Sequence, residues 1–212
     1  MRVTVVGTGN MARGVAARAM AGGHHVTFVG THIGKAEDLA DELSGLGDVS
    51  ASEQVGGDVT VLAVPYTEAP HIVRELADQL DGTVIVDVTN PVDISAFEPL
   101  SGAWVEPFNS GAEVIAAEAP DPSKVVKAFN TTFAGTLLTG AVAGQPLDVF
   151  IAGDDEEAKA VVSQLARDGG LRPIDAGALR RARELEALGY LHMAVQPALG
   201  TGFASAVKVL SP

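Results

Sequence analysis

Short apolar runs rich in β-branched residues alternate with longer amphipathic stretches from residue 2 to about residue 90. The runs predict strands at residues 2–6, 25–29, 48–51, 59–63 and 84–87, and the amphipathic stretches predict helices at residues 11–20, 35–43 and 67–80. Strands that alternate with helices form a parallel sheet, because each parallel crossover is long enough to contain a helix. Right-handed crossovers place helices on both faces of the sheet, so the pattern predicts an α/β fold with a doubly wound parallel sheet.

The periodicity weakens after Asn90 and Pro91, where a loop rich in Pro, Gly and Ser begins. Beyond this loop, the pattern predicts strands at residues 124–128, 148–152 and 171–175, and helices at residues 112–117, 155–168 and from about Gly177 onward. We therefore expect two parts, a first domain over residues 1–145 and a small C-terminal α/β subdomain over residues 146–212 that packs against it.

The last predicted helix carries an apolar stripe at spacings of three, three and four residues, formed by Leu185, Leu188, Leu191 and Val195. Such a stripe lies on one face of a helix and needs an apolar surface to pack against. The stripe either closes the core of this chain or contacts a partner subunit.

Charge and composition narrow the classes of function. The chain has 14 Lys and Arg against 27 Asp and Glu, a net charge of -13, which repels nucleic acid and anionic membranes. The chain has no cysteine, which excludes disulfides, thiolate metal sites and a cysteine nucleophile, and which fits a reducing compartment. Two uncharged stretches, 128–147 and 189–207, contain polar residues and proline and are poor membrane spans. With no basic leader and apolar signal region at the start, we expect a cytoplasmic protein without nucleic-acid or membrane partners.

The segment GTGNMARG, residues 7–14, follows the first predicted strand and opens the first predicted helix. Its pattern is Gly7-x-Gly9-x-x-Ala12, in which the first glycine allows the tight turn, the second lets a pyrophosphate approach, and the alanine keeps the helix close to the sheet. Backbone N–H groups at the start of this helix face a bound phosphate, and they belong to Thr8, Asn10 and Met11. This context predicts a Rossmann-type dinucleotide-binding domain.

The end of the second predicted strand indicates which dinucleotide binds. NAD-binding units have an Asp or Glu there, about twenty residues after the glycines, which binds the ribose hydroxyls. This chain has no acid at that place, whereas Thr31 and His32 offer hydrogen-bond donors and Lys35 a positive charge, which favours the 2'-phosphate of NADP. The alternative interpretation is that Thr31 caps the following helix and Lys35 is a solvated surface lysine.

Two further segments end strands at the carboxyl edge of the sheet, where ligands of such sheets bind. Ala63 ends the fourth strand, and Val64 and Pro65 follow it. These three residues either lie against the ribose and nicotinamide or only terminate the strand. Thr89 and Asn90 follow the fifth strand and are candidates to line the same cavity.

The sequence contains no convincing catalytic side chain and no set of residues with metal-ligand spacing. Ser110 and Ser205 have neither a nucleophile elbow nor a neighbouring base. We expect catalysis by positioning alone, because a hydride that passes between two stacked cofactor rings requires distance and alignment.

Several segments together resemble the coenzyme F420-dependent NADP oxidoreductases. They are GTGNMARG, SGAEVIA (110–116), KVVKAFNT (124–131), IAGDDEEAK (151–159) and GLRPIDAGALRRARELEAL (170–188). The resemblance implies hydride transfer between NADPH and the deazaflavin coenzyme F420 in a small cytoplasmic homodimer. It also implies a Rossmann domain followed by a C-terminal subdomain that helps to form the deazaflavin cleft and the dimer.

The resemblance also implies roles for particular residues. It assigns the pyrophosphate to residues 8–11, the 2'-phosphate to the segment from Thr31 to Lys35, and the nicotinamide contact to Val64 and Pro65. It places Asn130 and Thr131 at the strand end that faces the deazaflavin. Residue chemistry leaves two interpretations for Asn130, which either hydrogen-bonds the cofactor edge or ties two loops together.

Alternative functions remain open at this point. The KAFNT segment also resembles the cytoplasmic domain of membrane metalloreductases that use NADPH and a flavin, so FAD or FMN is the alternative acceptor. Another alternative is a reductase of a small imine or carbonyl substrate that resembles the pyrroline-carboxylate reductases, and a non-catalytic NADP-binding sensor would share the first domain. In the segment RARELEAL, Arg183 and Glu186 are three residues apart, a spacing that predicts a helix-surface ion pair. The alternative interpretation places Arg183 near the cleft.

Overall fold

The computed structural model describes residues 1–93, 95–96, 98–100 and 110–210. The loop predicted after Pro91 falls in part on residues 101–109, which lie outside the described residues. Eight strands form one sheet: β1 (Arg2–Val6), β2 (His25–Val29), β3 (Val49–Ala51), β4 (Val59–Leu62), β5 (Val84–Asp87), β8 (Lys124–Lys127), β11 (Asp148–Gly153) and β12 (Arg172–Gly177). Two small hairpins pair β6 (Val92–Asp93) with β7 (Glu98–Pro99) and β9 (Ala141–Val142) with β10 (Gln145–Pro146).

The strand order in the large sheet is β12-β11-β8-β5-β4-β1-β2-β3. The six strands from β3 to β8 run parallel, which confirms the predicted doubly wound sheet. β11 then pairs antiparallel with β8, and β12 runs parallel to β11 with a bulge between Ile151 and Ala152. The C-terminal segment thus extends the same sheet, and the proposed division between residues 145 and 146 stays a prediction.

Eight α-helices are described: α1 (Asn10–Ala21), α2 (Ile33–Leu43), α3 (Ala69–Glu75), α4 (Gly111–Glu118), α5 (Ala134–Thr139), α6 (Glu156–Asp168), α7 (Ala182–Ala194) and α8 (Gln196–Leu199). Apolar residues of α1, α2, α5 and α6 pack on one face of the sheet, and those of α3, α4 and the start of α7 pack on the other. Burial of both faces explains why the strands read as continuous apolar runs. No helix in the described part of the chain is long and apolar enough to cross a membrane.

Three helical segments differ from the sequence-based prediction. The helix predicted at 67–80 is shorter, because a turn on the Pro65 carbonyl precedes α3 and a 3-10 turn at Ala77–Gln79 follows it. The last helix begins at Ala182 instead of near Gly177, which has a φ of 98° and ends β12 before another 3-10 turn. The six-residue α5 was not predicted, since it is too short to show a helical period.

Asp148 at the start of β11 fixes the C-terminal tail in place. This buried carboxylate accepts hydrogen bonds from Arg172, from Lys208 at 2.5 Å, and from the backbone N–H of Val209 at 2.8 Å. Burial alone would raise the pKa of Asp148, but these bonds outweigh it and lower the pKa to about 2. Asp148 therefore stabilises the tail in its ionised form.

We expect Asp148→Asn to lower the free energy of unfolding at pH 7 by about 2 kcal/mol, since the carboxylate's pKa falls from 3.8 to about 2 on folding. A carboxylate whose pKa is lowered by folding stabilises the fold at a pH above its pKa in the unfolded chain. This stabilisation is lost as the pH falls through its pKa in the folded protein. The difference from the wild type should therefore shrink between about pH 4 and pH 2. Urea denaturation across this range measures it, with exposed Asp81→Asn as control, and a constant difference would contradict the prediction.

Candidate functional site

The glycine loop between β1 and α1 has two glycines with different structural roles. Gly7 has a φ of 119°, and a Cβ at this position would lie 2.2 Å from the carbonyl oxygen of Ala63, so only glycine fits. Gly9 has an ordinary φ of -85°, and a Cβ there would have no atom within 4 Å. Gly7 is therefore required by the fold, whereas Gly9 leaves open space above the start of the helix.

The N-terminus of α1 faces this open space without an internal partner. Gly9 occupies the N-cap position, no side chain caps the helix, and its first turn contains no acidic residue. The first hydrogen bond of the helix runs from the N–H of Arg13 to the carbonyl of Gly9, so the N–H groups of Asn10 and Met11 precede the ladder. Unpaired N–H groups at the positive end of a helix bind anions such as phosphate.

The N-terminus of α2 has the same character at the neighbouring strand. His32 is its N-cap residue, its side chain does not cap the helix, and the first turn contains no acid. The interpretation of Thr31 as the cap of this helix is therefore wrong, because Thr31 precedes the cap position. Thr31, His32 and Lys35 are exposed, and in the described residues Lys35 makes no ion pair. A dianionic phosphate at this position would find hydrogen-bond donors on Thr31 and His32, the positive charge of Lys35, and no acid in the first turn of the helix.

The segment after β4 lies beside the glycine loop. The Cγ1 atom of Val64 is 3.3 Å from the place where a Cβ of Gly7 would lie, and the carbonyl of Ala63 blocks the same position. Pro65 is exposed and starts the turn into α3. Residues 63–65 are thus placed between the two helix N-termini on one side and the ends of β5 and β8 on the other, as the strand order requires.

Asn90 and Asn130 form a reciprocal amide pair at the ends of β5 and β8. The side chain of Asn90 donates to the backbone oxygen of Asn130 at 2.8 Å, and Asn130 Nδ2 donates to Asn90 Oδ1 at 2.9 Å. Asn130 Nδ2 also donates to the backbone oxygen of Leu185 in α7 at 2.9 Å. The interpretation that Asn130 ties two loops together is therefore confirmed, and its contact with a cofactor stays a prediction.

Two buried polar atoms in this region have no hydrogen-bond partner among the described residues, Asn130 Oδ1 and Thr89 Oγ1. Both side chains are at least nine-tenths buried. A buried polar atom without a partner is costly, so such atoms in a native fold mark places where a ligand or water completes the bonding. Asn130 uses both amide hydrogens within the protein and therefore offers a ligand only an acceptor.

The backbone between Lys127 and Asn130 is held in an uncommon conformation. Phe129 is buried and has a φ of 63°, in the left-handed region that bulky residues rarely adopt. Its carbonyl oxygen accepts hydrogen bonds from the N–H of Thr132 at 3.0 Å and from the Thr132 hydroxyl at 2.7 Å. These contacts offset the strain and turn the chain so that Asn130 and Thr131 follow the strand end.

A fully buried ionic cluster lies directly behind the amide pair. Lys127 Nζ is 2.8 Å from Asp87 Oδ2, 3.0 Å from Glu186 Oε1 and 2.6 Å from the carbonyl oxygen of Thr89. Burial lowers the pKa of Lys127, but the charges of Asp87 and Glu186 and their hydrogen bonds outweigh it and raise the pKa. The ammonium thus stays charged, and each of its three hydrogens has an acceptor.

Glu186 was predicted to form a helix-surface pair with Arg183, and this prediction is wrong. The side chain is fully buried, and its carboxylate accepts hydrogen bonds from the N–H groups of Gly111 at 3.0 Å and Ala112 at 3.2 Å. The carboxylate of Glu186 therefore binds the free N–H groups at the N-terminus of α4. The spacing in the sequence did not show this, because a Glu on a predicted helix is usually solvated.

Two other groups near this edge, the half-buried Tyr66 and the buried His192, were not identified as functional from the sequence. Burial and the charges of Glu186 and Asp87 raise the pKa of Tyr66, which follows Pro65. His192 of α7 lies 3.0 Å from the Thr131 oxygen and 2.9 Å from Ser205 Oγ, and burial lowers the pKa of its ring. A neutral ring that donates from Nδ1 and accepts at Nε2 satisfies both contacts.

A cavity of about 270 Å³ lies at the opposite edge of the sheet, with Asp121, Lys124, Asp154 and Leu179 in its lining. None of the sequence-predicted site residues lines it. All fifteen of them, from Gly7 to Thr131, follow the carboxyl ends of the parallel strands instead.

The fold and this edge define a Rossmann-type dinucleotide-binding protein. A family model described as NADP oxidoreductase, coenzyme F420-dependent, matches residues 2–91. An F420-dependent NADP reductase of Methanocaldococcus jannaschii is 31% identical over 157 residues, which cover 73% of this chain and 68% of that protein. The chain belongs to the coenzyme F420-dependent NADP oxidoreductase family.

Two further similarities extend the match beyond the first domain. A candidate F420-dependent NADP reductase from Arthrobacter sp. FB24 has a crystal structure that matches with a TM-score of 0.80 and 29% identity, covering 95% of this chain and 96% of that chain. Metalloreductase STEAP3 of Rattus norvegicus is 35% identical over 187 residues, or 88% of this chain. The chain spans only 36% of the length of that metalloreductase.

The residues at the carboxyl edge fit the two groups that the family implies. Open space above Gly9 and two helix N-termini without acids fit a dinucleotide phosphate, and the unpaired Asn130 Oδ1 fits the N–H edge of a ring. This fit rests on atoms that the fold leaves without partners in the described residues.

The two glycines of the loop allow a matched comparison. We expect Gly7→Ala to lower the free energy of unfolding by roughly 3 kcal/mol, because the methyl group meets the Ala63 carbonyl in a left-handed conformation. Gly9→Ala should change it by less than about 0.5 kcal/mol. Urea denaturation of both variants tests this, and equal losses of stability would show that the two glycines do not differ.

Proposed function

We propose that this protein is an oxidoreductase that transfers a hydride between NADP(H) and coenzyme F420. The observation that carries the proposal is the pair of helix N-termini at α1 and α2, both without a capping side chain and without an acid in the first turn. They lie at neighbouring strands of the edge where the amide pair offers an unpaired acceptor. Family membership and the reductase names of the relatives support the same reaction.

The nucleotide is held by backbone and by charge in this proposal. The N–H groups around Gly9, Asn10 and Met11 bind the pyrophosphate, with Thr8 beside them and Gly7 forming the turn. Thr31 and His32 donate to the 2'-phosphate, and Lys35 adds the positive charge. An Asp or Glu at this position would repel the extra phosphate, and α2 has none in its first turn.

The acceptor side is formed by the ends of β4, β5 and β8. Ala63, Val64 and Pro65 lie against the nicotinamide, and Thr89, Asn90, Asn130 and Thr131 line the place of the deazaflavin. With both cofactors bound, the nicotinamide would supply a hydride and the oxidised deazaflavin would take it up together with a proton from solvent, giving NADP+ and reduced deazaflavin. The protein contributes alignment of the two rings, with no side chain acting as acid or base.

We also propose that the protein acts as a cytoplasmic homodimer in which residues 146–212 form part of the acceptor cleft and the dimer contact. The far part of the apolar stripe is uncovered in the single chain, where Leu191 is 58% and Val195 36% exposed, and Leu199 of α8 beyond it is 55% exposed. Apolar side chains on successive turns of α7 and α8 indicate a surface that a second copy covers. Sedimentation velocity measures this, and a monomer at micromolar concentration would contradict it.

Anaerobic mixing with NADPH and oxidised coenzyme F420 tests the reaction directly, with deazaflavin absorbance as the readout. NADH in place of NADPH, and FMN or FAD in place of the deazaflavin, are the parallel reactions. Rapid bleaching that requires NADPH supports the proposal. Faster reduction of a flavin would favour the second candidate, a flavin reductase, which the 35% identity to a metalloreductase supports.

Two other outcomes identify the remaining functions. Turnover of a cyclic imine with no added ring cofactor would indicate a reductase like the pyrroline-carboxylate reductases. Tight NADPH binding with no hydride transfer to any acceptor, together with a nucleotide-dependent change of oligomeric state, would indicate a sensor.

Lys35→Ala tests the 2'-phosphate site. We expect NADPH binding to weaken about tenfold and NADH binding to stay within about twofold, because only NADPH has the phosphate that the ammonium contacts. Isothermal titration calorimetry with both nucleotides measures the ratio. Lys124→Ala is the matched control, since Lys124 is also exposed but starts β8 at the opposite edge of the sheet. Equal losses for NADPH and NADH would refute the assignment.

A further inference from the structure

Helix α7 contacts the segment from Lys127 to Thr131 through one face along about two turns. Glu186 pairs with Lys127, the carbonyl of Leu185 accepts from Asn130, and His192 contacts the carbonyl of Thr131. Residues 185, 189 and 192 lie on one face because helical neighbours recur every three or four positions. The position of α7 is therefore linked to Lys127, Asn130 and Thr131 at the end of β8.

Gly189 allows this contact to be close. A Cβ there would lie 2.8 Å from Asn90 Oδ1 and 2.9 Å from the carbonyl oxygen of Asn130. The helix backbone thus rests directly on the amide pair, with no side chain between them. A shift of α7 by even a few tenths of an ångström changes the packing against both asparagines.

The ionic cluster fixes this position. Glu186 has three partners from two other elements: Lys127 of β8 and the N–H groups of Gly111 and Ala112 at the start of α4. Its carboxylate gains from both the ammonium and the positive end of α4. Because the side chain is fully buried, it cannot move into water if α7 shifts.

We propose that Glu186 is a positioning residue that holds α7 on the amide pair and thereby orients the hydride acceptor. The proposal rests on the proposed function for the identity of the acceptor. Within the described part of the chain, the hydrogen bonds and the ion pair of Glu186 reach neither the glycine loop nor α2. We therefore expect its effect to fall on the acceptor side and to leave nucleotide binding unchanged.

Glu186→Gln keeps the shape of the side chain and removes its charge. The amide nitrogen must then face either Lys127 or a backbone N–H, so one donor meets another in the buried cluster. We expect the acceptor KM to rise about tenfold and kcat to fall about tenfold, with the Kd for NADPH changed less than about twofold. Steady-state kinetics with varied coenzyme F420 and calorimetry with NADPH measure this separation.

Glu184→Gln is the matched control, because it makes the same change two residues earlier on the same helix. Glu184 is 48% exposed and pairs at the surface with Arg181 and Arg183. We expect its KM, kcat and NADPH affinity to equal those of the wild type. If Glu186→Gln leaves the acceptor KM and kcat unchanged, or weakens NADPH to the same degree as the acceptor, the proposal is overturned.

A second variant keeps the proposal testable if Glu186→Gln does not fold. Gly189→Ala leaves every charge in place and adds a methyl group that pushes α7 away from the amide pair. It should produce the same acceptor-side defect, with NADPH affinity retained. A Gly189→Ala variant with wild-type acceptor KM would overturn the role of α7 in positioning.

Hydrogen exchange separates a failure of this proposal from a failure of the proposed function. We expect the backbone amides of α7 and of residues 128–131 to exchange about tenfold faster in Glu186→Gln than in Glu184→Gln, whichever acceptor is used. If the wild type reduces no deazaflavin but this difference is present, the acceptor assignment fails and the positioning role stands. If exchange is equal in the two variants, the positioning role fails.

Discussion

A buried ammonium needs three acceptors, and Lys127 obtains them from three different segments of the chain. Asp87 comes from the adjacent strand, the Thr89 carbonyl from the loop after that strand, and Glu186 from a helix almost sixty residues further on. Removing any one acceptor leaves a buried charge partly unsatisfied, which costs more than the bond itself contributes. The ends of β5 and β8 and the position of α7 are therefore specified together.

The helix N-termini of this protein differ in whether side chains of the chain itself already bind them. The N-terminus of α4 is filled by Ser110, in a capping box with Glu113, and by Glu186, while that of α6 is capped by Asp155. The N-termini of α1 and α2 have neither a side-chain cap nor an acid in the first turn, a property that they share with the shorter helices α3, α5 and α8. Because all are built by the same backbone, only the side chains around them decide which can bind an external phosphate.

The sequence predicted the parts of the fold that depend on local pattern. Strands β1, β2 and β5 have the predicted bounds, and the glycine loop lies where the Gly7-x-Gly9 spacing indicated, because backbone conformation and apolar period are local properties. The antiparallel β11 and the burial of Glu186 were not predictable in this way. Strand direction and a partner 59 residues away along the chain depend on tertiary contacts that no window of sequence contains.

The antiparallel direction of β11 has a geometric consequence for α7. β12 runs parallel to β11 and therefore ends at the edge of the sheet opposite the carboxyl ends of the parallel strands, where the N–H of Leu179 donates to Asp154. Helix α7 starts near this edge and runs toward the carboxyl edge, where the carbonyl of Leu185 accepts from Asn130. The bulge opposite Ile151 adds one residue, Ala176, before that helix begins. Each residue rotates a helix by about 100°. That single extra residue in an edge strand, together with the 3-10 turn at Leu179–Arg181, therefore contributes to the rotational phase of α7, and with it to which side chains the helix turns toward the sheet.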